Sequence, residues 1–131
     1  MYLTRIGTTP RRRAPIPGGP TMEVLVAAET SDDIAMVQVW IPPGGGLPEH
    51  DHGPSEIVLV HLSGSIDLRQ GDQRHRLAPG AVAHLATGER VSLTNPGTGP
   101  AVMMIVASPP NSSRESPAGP RPRCPRQPRL V

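Results

Sequence analysis

Large aromatic side chains are almost missing from this chain of 131 residues, which has no Phe, one Trp and one Tyr. Long helices are also disfavoured, because 18 Pro and 14 Gly together make up about a quarter of the sequence. The length suits a single domain. These features exclude a helical bundle and leave few large side chains to fill a hydrophobic core.

Cysteine and long apolar runs are scarce as well. Cys124 is the one cysteine, so neither an intrachain disulfide nor a cysteine-based zinc site can form. No run of about 18 apolar residues occurs, and three arginines at 11–13 stand near the N-terminus where a signal peptide would be apolar. The sequence therefore predicts a soluble cytoplasmic protein that does not bind a membrane.

Basic charge is concentrated at the two ends of the chain. Residues 1–13 hold four arginines and no acid, and residues 109–131 hold five arginines and one acid. Residues 14–108 hold four arginines against ten acids, a net charge of −6. We therefore predict that the folded domain does not bind nucleic acid.

Proline-rich segments flank a central region. Residues 1–20 are predicted to be an N-terminal arm or linker, and residues 21–108 the folded domain. Residues 109–131 contain seven prolines and almost nothing apolar, which predicts a disordered Pro/Arg-rich tail.

Short apolar runs separated by turn residues fill the central region. They recur at intervals of roughly 8–12 residues, and no segment has a sustained 3.6-residue hydrophobic period. The runs are 22–28, 34–41, 47–52, 57–62, 65–69, 73–77, 81–86, 90–94 and 101–107. This spacing predicts an all-β fold, a sandwich or barrel of antiparallel strands.

His50 and His52 form a His-x-His pair, and residues two apart on a strand point to the same face. Glu56 follows across Gly53 and Pro54, a turn that can return its carboxylate to the imidazoles. Two histidines and one carboxylate form a donor set that holds a divalent first-row metal and leaves positions open for substrate. Solvated surface histidines also give this pattern, so the pair alone is weak evidence.

Two longer spacings resemble the conserved motifs of the cupin superfamily. The first is Gly44, five residues, His50-x-His52, three residues and Glu56. The second is Gly80, five residues, Ala86-x-Gly88, two residues, Val91, three residues and Asn95. The resemblance covers residues 34–107 and is closest to small single-domain cupins. It implies a double-stranded β-helix, which is a jelly-roll barrel.

The resemblance also implies a chemistry. His50, His52 and Glu56 would hold a divalent metal such as Fe, Mn, Ni, Co or Zn. Similar cupins are dioxygenases, isomerases, epimerases, lyases and cyclases of secondary metabolism, and the fold does not choose among them. A metal-dependent enzyme acting on a small organic molecule is therefore expected, with no catalytic residue assigned. The alternative is a non-catalytic binding module with a degenerate or metal-free pocket.

Two departures from the family pattern fall in the second motif. Ala86 replaces a proline, and Val91 replaces the histidine that is the fourth metal ligand. Val91 shares a strand face with Leu93, so this wall of the pocket is apolar if the face looks inward.

A third departure concerns register, because seven residues instead of six separate Glu56 from Gly64. Either a bulge lies between these positions, or Glu56 points away from the pocket. In the second case the barrel is lined by Ile57, Leu59 and His61. We favour the bulge, or a ligand contributed from the turn.

His61 and His84 are candidates to supply the missing imidazole from neighbouring strands. A lone strand histidine is more often half-buried and hydrogen-bonded within the fold, or faces solvent. His75 lies between two arginines in a polar hairpin and is predicted to be solvated.

Apolar residues occupy both faces of the runs at 22–28 and 34–41, for example Val24, Leu25 and Val26. A sheet with two apolar faces must be covered on both sides, and a second copy across a two-fold axis is the simplest cover. We predict a homodimer with residues 22–41 at the interface, as is common among the cupins that the sequence resembles.

Overall fold

The computed structural model describes residues 1–110, which form ten β-strands and no helix. Each predicted apolar run coincides with a strand, and the additional strand is the first one, formed by three arginines. The strands are β1 (Arg11–Arg13), β2 (Thr21–Val26), β3 (Ala35–Ile41), β4 (Gly46–His50), β5 (Glu56–Ser63), β6 (Ile66–Gln70), β7 (Gln73–Leu77), β8 (Val82–Leu85), β9 (Val91–Thr94) and β10 (Ala101–Ser108). The predicted tail lies outside the described residues from position 111 onward.

Two antiparallel sheets pack face to face. The larger sheet has the order β1-β2-β3-β10-β5-β8, and the smaller sheet has the order β4-β9-β6-β7. Neighbouring strands come from distant parts of the chain, which is the connectivity of a jelly-roll barrel. The prediction of an all-β double-stranded β-helix is confirmed.

Residues 1–110 contain no helix that is long and apolar enough to cross a membrane. The cytoplasmic location, and the lack of nucleic-acid and membrane partners, stay predictions from the sequence.

The hydrophobic core lies between the two sheets and is built from aliphatic side chains of medium size. Its buried members are Ala35, Val39, Ile41, Ile57, Leu59, Ile66, Leu68, Leu85, Val91, Leu93, Ala101, Met103 and Ala107. Burial of each larger side chain stabilises the fold by about 1.5–3 kcal/mol. Contacts among these aliphatic side chains therefore fill a core whose buried members within residues 1–110 include no Phe, Tyr or Trp.

The strand that carries His50 is held close to its neighbour by Gly46. A Cβ atom at this position would lie 2.1 Å from the carbonyl oxygen of Leu93, so only glycine permits the β4–β9 approach. Asn95, just after β9, is buried and its Nδ2 donates to the carbonyl oxygen of Ile41 (2.8 Å). This bond ties the loop after β9 to the end of β3, next to the turn that leads into β4.

The N-terminal segment predicted as an arm or linker, residues 1–20, contributes a strand to the larger sheet, because β1 pairs antiparallel with β2. The carboxylate of Glu23 is fully buried on the outer side of β2. It accepts hydrogen bonds from the backbone N–H groups of Gly7 (2.9 Å) and Thr9 (3.0 Å) and from Oγ1 of Thr9 (2.6 Å). The start of the chain is therefore fastened to the barrel.

Candidate functional site

His50 and His52 lie side by side at the end of β4. Their ring centroids are 4.8 Å apart, and the ring planes meet at 75°. Nδ1 of His50 donates to the carbonyl oxygen of Pro48 (2.7 Å), so Nε2 carries the lone pair of the neutral ring. A backbone acceptor on the far nitrogen is the usual way in which a metal-ligating histidine is oriented.

His52 is half-buried, and its ring is uncharged at neutral pH. Burial lowers the pKa of His52 below its ordinary value of 6.5, and the neighbouring His50 acts in the same direction, opposed by Asp51. Asp51 and Glu49 contact Arg90, at 3.1 and 3.4 Å respectively. Both acids therefore form ion pairs with Arg90.

Glu56 lies on the outer face of β5 and does not join the histidine pair. Its Oε1 accepts a hydrogen bond from Nε2 of His84 on β8 (2.9 Å), and the two side chains are 62% and 58% exposed. Ile57 takes the inward position and is buried opposite Leu85. The three predicted ligands His50, His52 and Glu56 are thus not brought together, because the carboxylate stays in water on the other side of the sheet.

The extra residue between Glu56 and Gly64 is accommodated by a bulge. The ladder between β5 and β10 shifts by one residue at Leu62. This bulge follows His61 and leaves the alternation at the start of β5 unbroken. The predicted bulge is present, but it keeps Ile57 and not Glu56 inside the barrel.

Val91 faces the barrel interior and is 2% exposed, with Leu93 buried on the same strand face. In the β4–β9 ladder Val91 is the partner of His50. The position that the cupin resemblance assigns to a fourth ligand is therefore adjacent to the histidine pair. It holds an apolar side chain, as the sequence predicts.

A cleft of about 320 Å³ opens where the two sheets separate between β7 and β8. Its floor is apolar and its rim is polar. The floor residues are Leu68, Leu77, Ala83, Leu85 and Val91, and the rim residues are Gln70, His75, His84 and Glu89. Val91 belongs both to this floor and to the wall beside His50, so the cleft reaches the region where the family motifs meet.

The family model described as a cupin domain matches residues 37–107, which is more than half of the chain. The chain belongs to the cupin family. A comparison with curated protein sequences found no match.

Solved structures give the same fold for this cupin. A predicted oxalate decarboxylase from Thermotoga maritima is 18% identical, with 82% of this chain and 98% of that chain covered and a TM-score of 0.74. The polyketide cyclase RemF from Streptomyces resistomycificus is 18% identical, with 89% and 94% covered and a TM-score of 0.73. KdgF from Halomonas sp. is 13% identical, with 86% and 99% covered and a TM-score of 0.75. At these identities the likeness shows the fold alone.

The divalent metal that membership of the cupin family implies does not fit the donors found in this cupin. Within residues 1–110, no three His, Cys, Asp or Glu side chains are grouped so that they could hold a metal ion. Ile57 and Val91 fill two inward positions with apolar groups. Two imidazoles alone compete poorly with water for a first-row divalent ion.

Neither predicted substitute histidine joins the pair. His61 is fully buried on the inner face of β5, about 17 Å along the strand from Glu56. Its Nε2 donates to the carbonyl oxygen of Ser63 (3.0 Å), and its Nδ1 has no hydrogen-bond partner in the described part of the chain. His84 faces outward and bonds to Glu56.

The rim of the cleft contains residues that the sequence did not single out as a site. His75, predicted to be solvated, stands opposite Leu68 in the β6–β7 ladder and lines the cleft with Gln70 and Glu89. The one available signal is Leu77, two residues after His75 and therefore on the same strand face. An apolar residue there indicates that this face of the hairpin turns toward the core.

Proposed function

We propose that this cupin is a binding module for a small organic molecule with an apolar body, held in the cleft between β7 and β8 without a metal. The observation that carries this proposal is the position of Val91. It forms part of the cleft floor and also occupies the place beside His50 where a metal site would need a donor atom. An apolar ligand gains from contact with this wall, whereas a metal ion does not.

The shape and polarity of the cleft indicate the class of ligand. Its volume of about 320 Å³ is at the small end of the range for ligand sites. The aliphatic floor favours one or two fused rings or a short hydrocarbon. Gln70 and His75 at the rim can donate or accept hydrogen bonds. The ligand is therefore an apolar body with a hydroxyl, carbonyl or amine at its outer end.

Calorimetric titration with 2-naphthol, which has two apolar rings and one hydroxyl, tests this function. The wild type is expected to bind with a Kd below about 1 mM. Addition of EDTA is expected to leave this Kd unchanged. Ala83→Trp fills the cleft from its floor and is expected to weaken binding at least about tenfold.

Ser92→Trp is the matched control, because Ser92 lies beside Val91 on β9 but on the outer face of the smaller sheet. It is expected to bind 2-naphthol like the wild type. Equal Kd values for Ala83→Trp and Ser92→Trp, with both variants folded by circular dichroism, would place the ligand elsewhere. Loss of binding in EDTA would contradict the metal-free part of the proposal.

The second candidate function is the metal-dependent enzyme that the family resemblance implies. The observation that favours it is the contact between the rings of His50 and His52, with Nδ1 of His50 anchored to a backbone carbonyl. Elemental analysis of protein purified without a polyhistidine tag tests it. About one divalent ion per chain, lost in the His50→Ala, His52→Ala double variant, would favour this candidate over the metal-free module.

A further inference from the structure

Strand β8 is the outermost strand of the larger sheet and pairs with β5 on one side. No strand of residues 1–110 pairs with its other side, which we call the free edge. The cleft between β7 and β8 lies along this edge, and Ala83, His84 and Leu85 of β8 line it. Backbone groups that point to the free edge therefore face the cleft.

The ladder with β5 determines which residues of β8 point their backbone groups to the free edge. The N–H of His61 donates to the carbonyl oxygen of Ala81 (2.9 Å), which continues the register of this ladder. Hydrogen-bonded pairs alternate with non-bonded pairs in an antiparallel ladder. Ala83, two residues after Ala81, therefore directs its N–H and C=O groups to β5. Val82 and His84 direct theirs to the free edge.

Ala86, the next residue in this alternation, shows what the free edge binds. Its N–H donates to Oε1 of Glu89 (2.9 Å), and Glu89 lines the cleft. An oxygen acceptor on the cleft side thus already satisfies one N–H group of this edge. The imidazole of His84 bonds to Glu56 on the outer face, so the part of His84 that lines the cleft is its backbone. Within residues 1–110 no side chain accepts a hydrogen bond from the N–H of His84.

The other three edge strands that residues 1–110 form are protected against pairing with a further chain. β1 consists of three arginines, β7 carries Arg74 and Arg76, and β4 carries Pro48 and Glu49. Charged residues and proline make a strand edge unsuitable for further pairing. β8 has the sequence Val-Ala-His-Leu, without Pro, Arg, Lys, Asp or Glu. Its edge is therefore open to a ligand that supplies an extended backbone.

We propose that the ligand of the cleft is an N-acylated amino acid amide whose one residue pairs antiparallel with His84. This inference rests on the proposed function and names the chemical class of its ligand. An extended residue offers an N–H and a C=O on the same side, and these match the C=O and N–H of His84. A single amide group makes only one of the two bonds, because its N–H and C=O point in opposite directions. The acyl group then lies opposite Leu85, which belongs to the apolar floor.

The size and charge of the cleft limit the ligand to one neutral residue with its two terminal groups. The volume of about 320 Å³ leaves room for a small molecule only. β8 has four residues, and two of them, Val82 and His84, point to the free edge. The carboxylate of Glu89 stands at the acyl end of the ligand and disfavours an anionic group there. The ligand therefore has an uncharged acyl group at one end and an uncharged amide at the other.

Calorimetric titration of the full-length chain with N-(2-naphthoyl)glycinamide tests the inference. The naphthyl group is the apolar body, and the glycine is the pairing residue. We expect this amide to bind at least about tenfold more tightly than 2-naphthol, because it adds two hydrogen bonds to β8. Two analogues keep the naphthyl group and remove the glycine N–H, one by replacing it with an ester oxygen and the other by N-methylation. Both are expected to bind at least about tenfold more weakly than the amide.

The variant His84→Pro tests the pairing from the side of the protein. It removes the N–H that faces the cleft and puts the proline ring on the free edge, while the ladder with β5 keeps its hydrogen bonds. We expect the amide to bind at least about tenfold more weakly than to the wild type and no better than its ester. Glu56→Gln is the matched control, because it removes the acid that faces the imidazole of His84 but leaves the backbone of β8 intact. It should bind the amide like the wild type.

The outcomes separate this inference from the proposed function. If 2-naphthol binds and the amide binds the wild type no more tightly than its ester, the pairing with β8 is wrong and the proposed function stands. If neither compound binds, the proposed function fails and the inference fails with it. Equal affinity of the amide for His84→Pro and Glu56→Gln, with both variants folded by circular dichroism, would also overturn the pairing. The two analogues test the wild type itself, so the result does not depend on the folding of His84→Pro.

Discussion

The two faces of strand β5 differ in almost every respect although they alternate residue by residue. The inner face presents Ile57, Leu59 and His61, each of which is at most 2% exposed. The outer face presents Glu56 and Val58, which are exposed, with Val60 half-buried. One strand thus supplies part of the barrel core and, on its other side, a largely apolar surface that is partly exposed. A shift of one residue would exchange the two roles.

The free energy of burial explains which face turns inward. Ile57 gains about 1.5–3 kcal/mol when it leaves water for the core. An ionised carboxylate in the same place would lose its hydration, at an effective cost of several kcal/mol, unless a cation or hydrogen-bond donors replaced that hydration. The ladder partners of Ile57 are Leu85 and Ala107, and the core around it is apolar, so neither partner offsets the cost. Glu56 therefore stays on the outer face of β5. The carboxylate that a cupin metal site would use is then missing from the inner face.

Shortening one side chain on each face of β5 should give the largest difference in stability between the two faces. Leu59→Ala leaves a cavity in the core and is expected to lower the free energy of unfolding by about 2–5 kcal/mol. Val58→Ala, one residue away, is expected to lower it by less than about 1 kcal/mol, because Val58 already contacts water. Urea unfolding of both variants at one protein concentration measures the difference. Equal losses would mean that the assignment of inner and outer faces is wrong.

Restoring ligands to the inner face should recreate the missing metal site. Ile57→Glu combined with Val91→His adds a carboxylate on the inner face of β5 and an imidazole at the strand partner of His50. We expect the affinity for Co²⁺ to rise at least about a hundredfold, since four protein ligands replace two, less the cost of two buried polar groups. The visible absorption of bound Co²⁺ reports the affinity and the coordination geometry.

The matched control for this experiment is Val58→Glu combined with Val91→His, in which the new carboxylate lies on the outer face. It should bind Co²⁺ no better than Val91→His alone, and thermal melting of all variants checks that they are folded. A control that binds as tightly as Ile57→Glu with Val91→His would show that the two faces of β5 are not distinct.

The nine strands of the barrel were predictable because local chemistry encodes them. After every run except the first, 22–28, a Gly, Pro or Asn follows within two residues, and these residue types favour turns. β1 was not predictable from such a pattern, because three arginines have no apolar face. Its pairing depends on β2 and on the anchoring of the arm by Glu23, which only the folded chain brings together.

The candidate site was predictable in part. The His50–His52 contact and the inward position of Val91 follow from alternation along a strand. The orientation of Glu56 does not, because β5 has apolar residues on both faces and its pattern fits either assignment. The number of residues between Glu56 and Gly64 indicates a bulge, but the position of that bulge depends on the pairing of β5 with β10.

Two carboxylates on the outer face of the larger sheet differ in their surroundings. Glu23 is buried and hydrogen-bonded to the arm, whereas Glu56 is exposed. The hydroxyl and then the backbone N–H of Thr9 lower the pKa of Glu23 below its ordinary value of 4.5; Gly7 and Arg11 act in the same direction, and burial opposes them. Anchoring of the arm is therefore complete above pH 4.5 and is lost as the pH falls through the lower pKa of the folded state.

We accordingly expect the backbone amides of Gly7 and Thr9 to lose about tenfold or more of their protection from hydrogen exchange as the pH falls below the folded pKa of Glu23. Gln38, the residue opposite Glu23 on β3, is uncharged and does not titrate in this range. Hydrogen exchange, corrected for its intrinsic pH dependence, measures the effect in wild type and in Glu23→Gln, in which these amides should be weakly protected at every pH. Wild-type protection that is indifferent to acid, or a Glu23→Gln variant that responds to acid as wild type does, would contradict the assignment.

The smallest effect is expected for the exposed acid itself. Glu56→Gln removes the charge that faces His84 at 2.9 Å, but both side chains are mostly in water, where such a pair contributes at most about 1 kcal/mol. The change in the free energy of unfolding, measured by urea unfolding at one protein concentration, should stay within this limit and shrink further in high salt. Metal affinity should not change, because Glu56 lies on the face of β5 away from His50 and His52. A fall in metal affinity caused by Glu56→Gln alone would mean that this carboxylate lies on the inner side of β5. It would then support the metal-dependent function that the family motif implies.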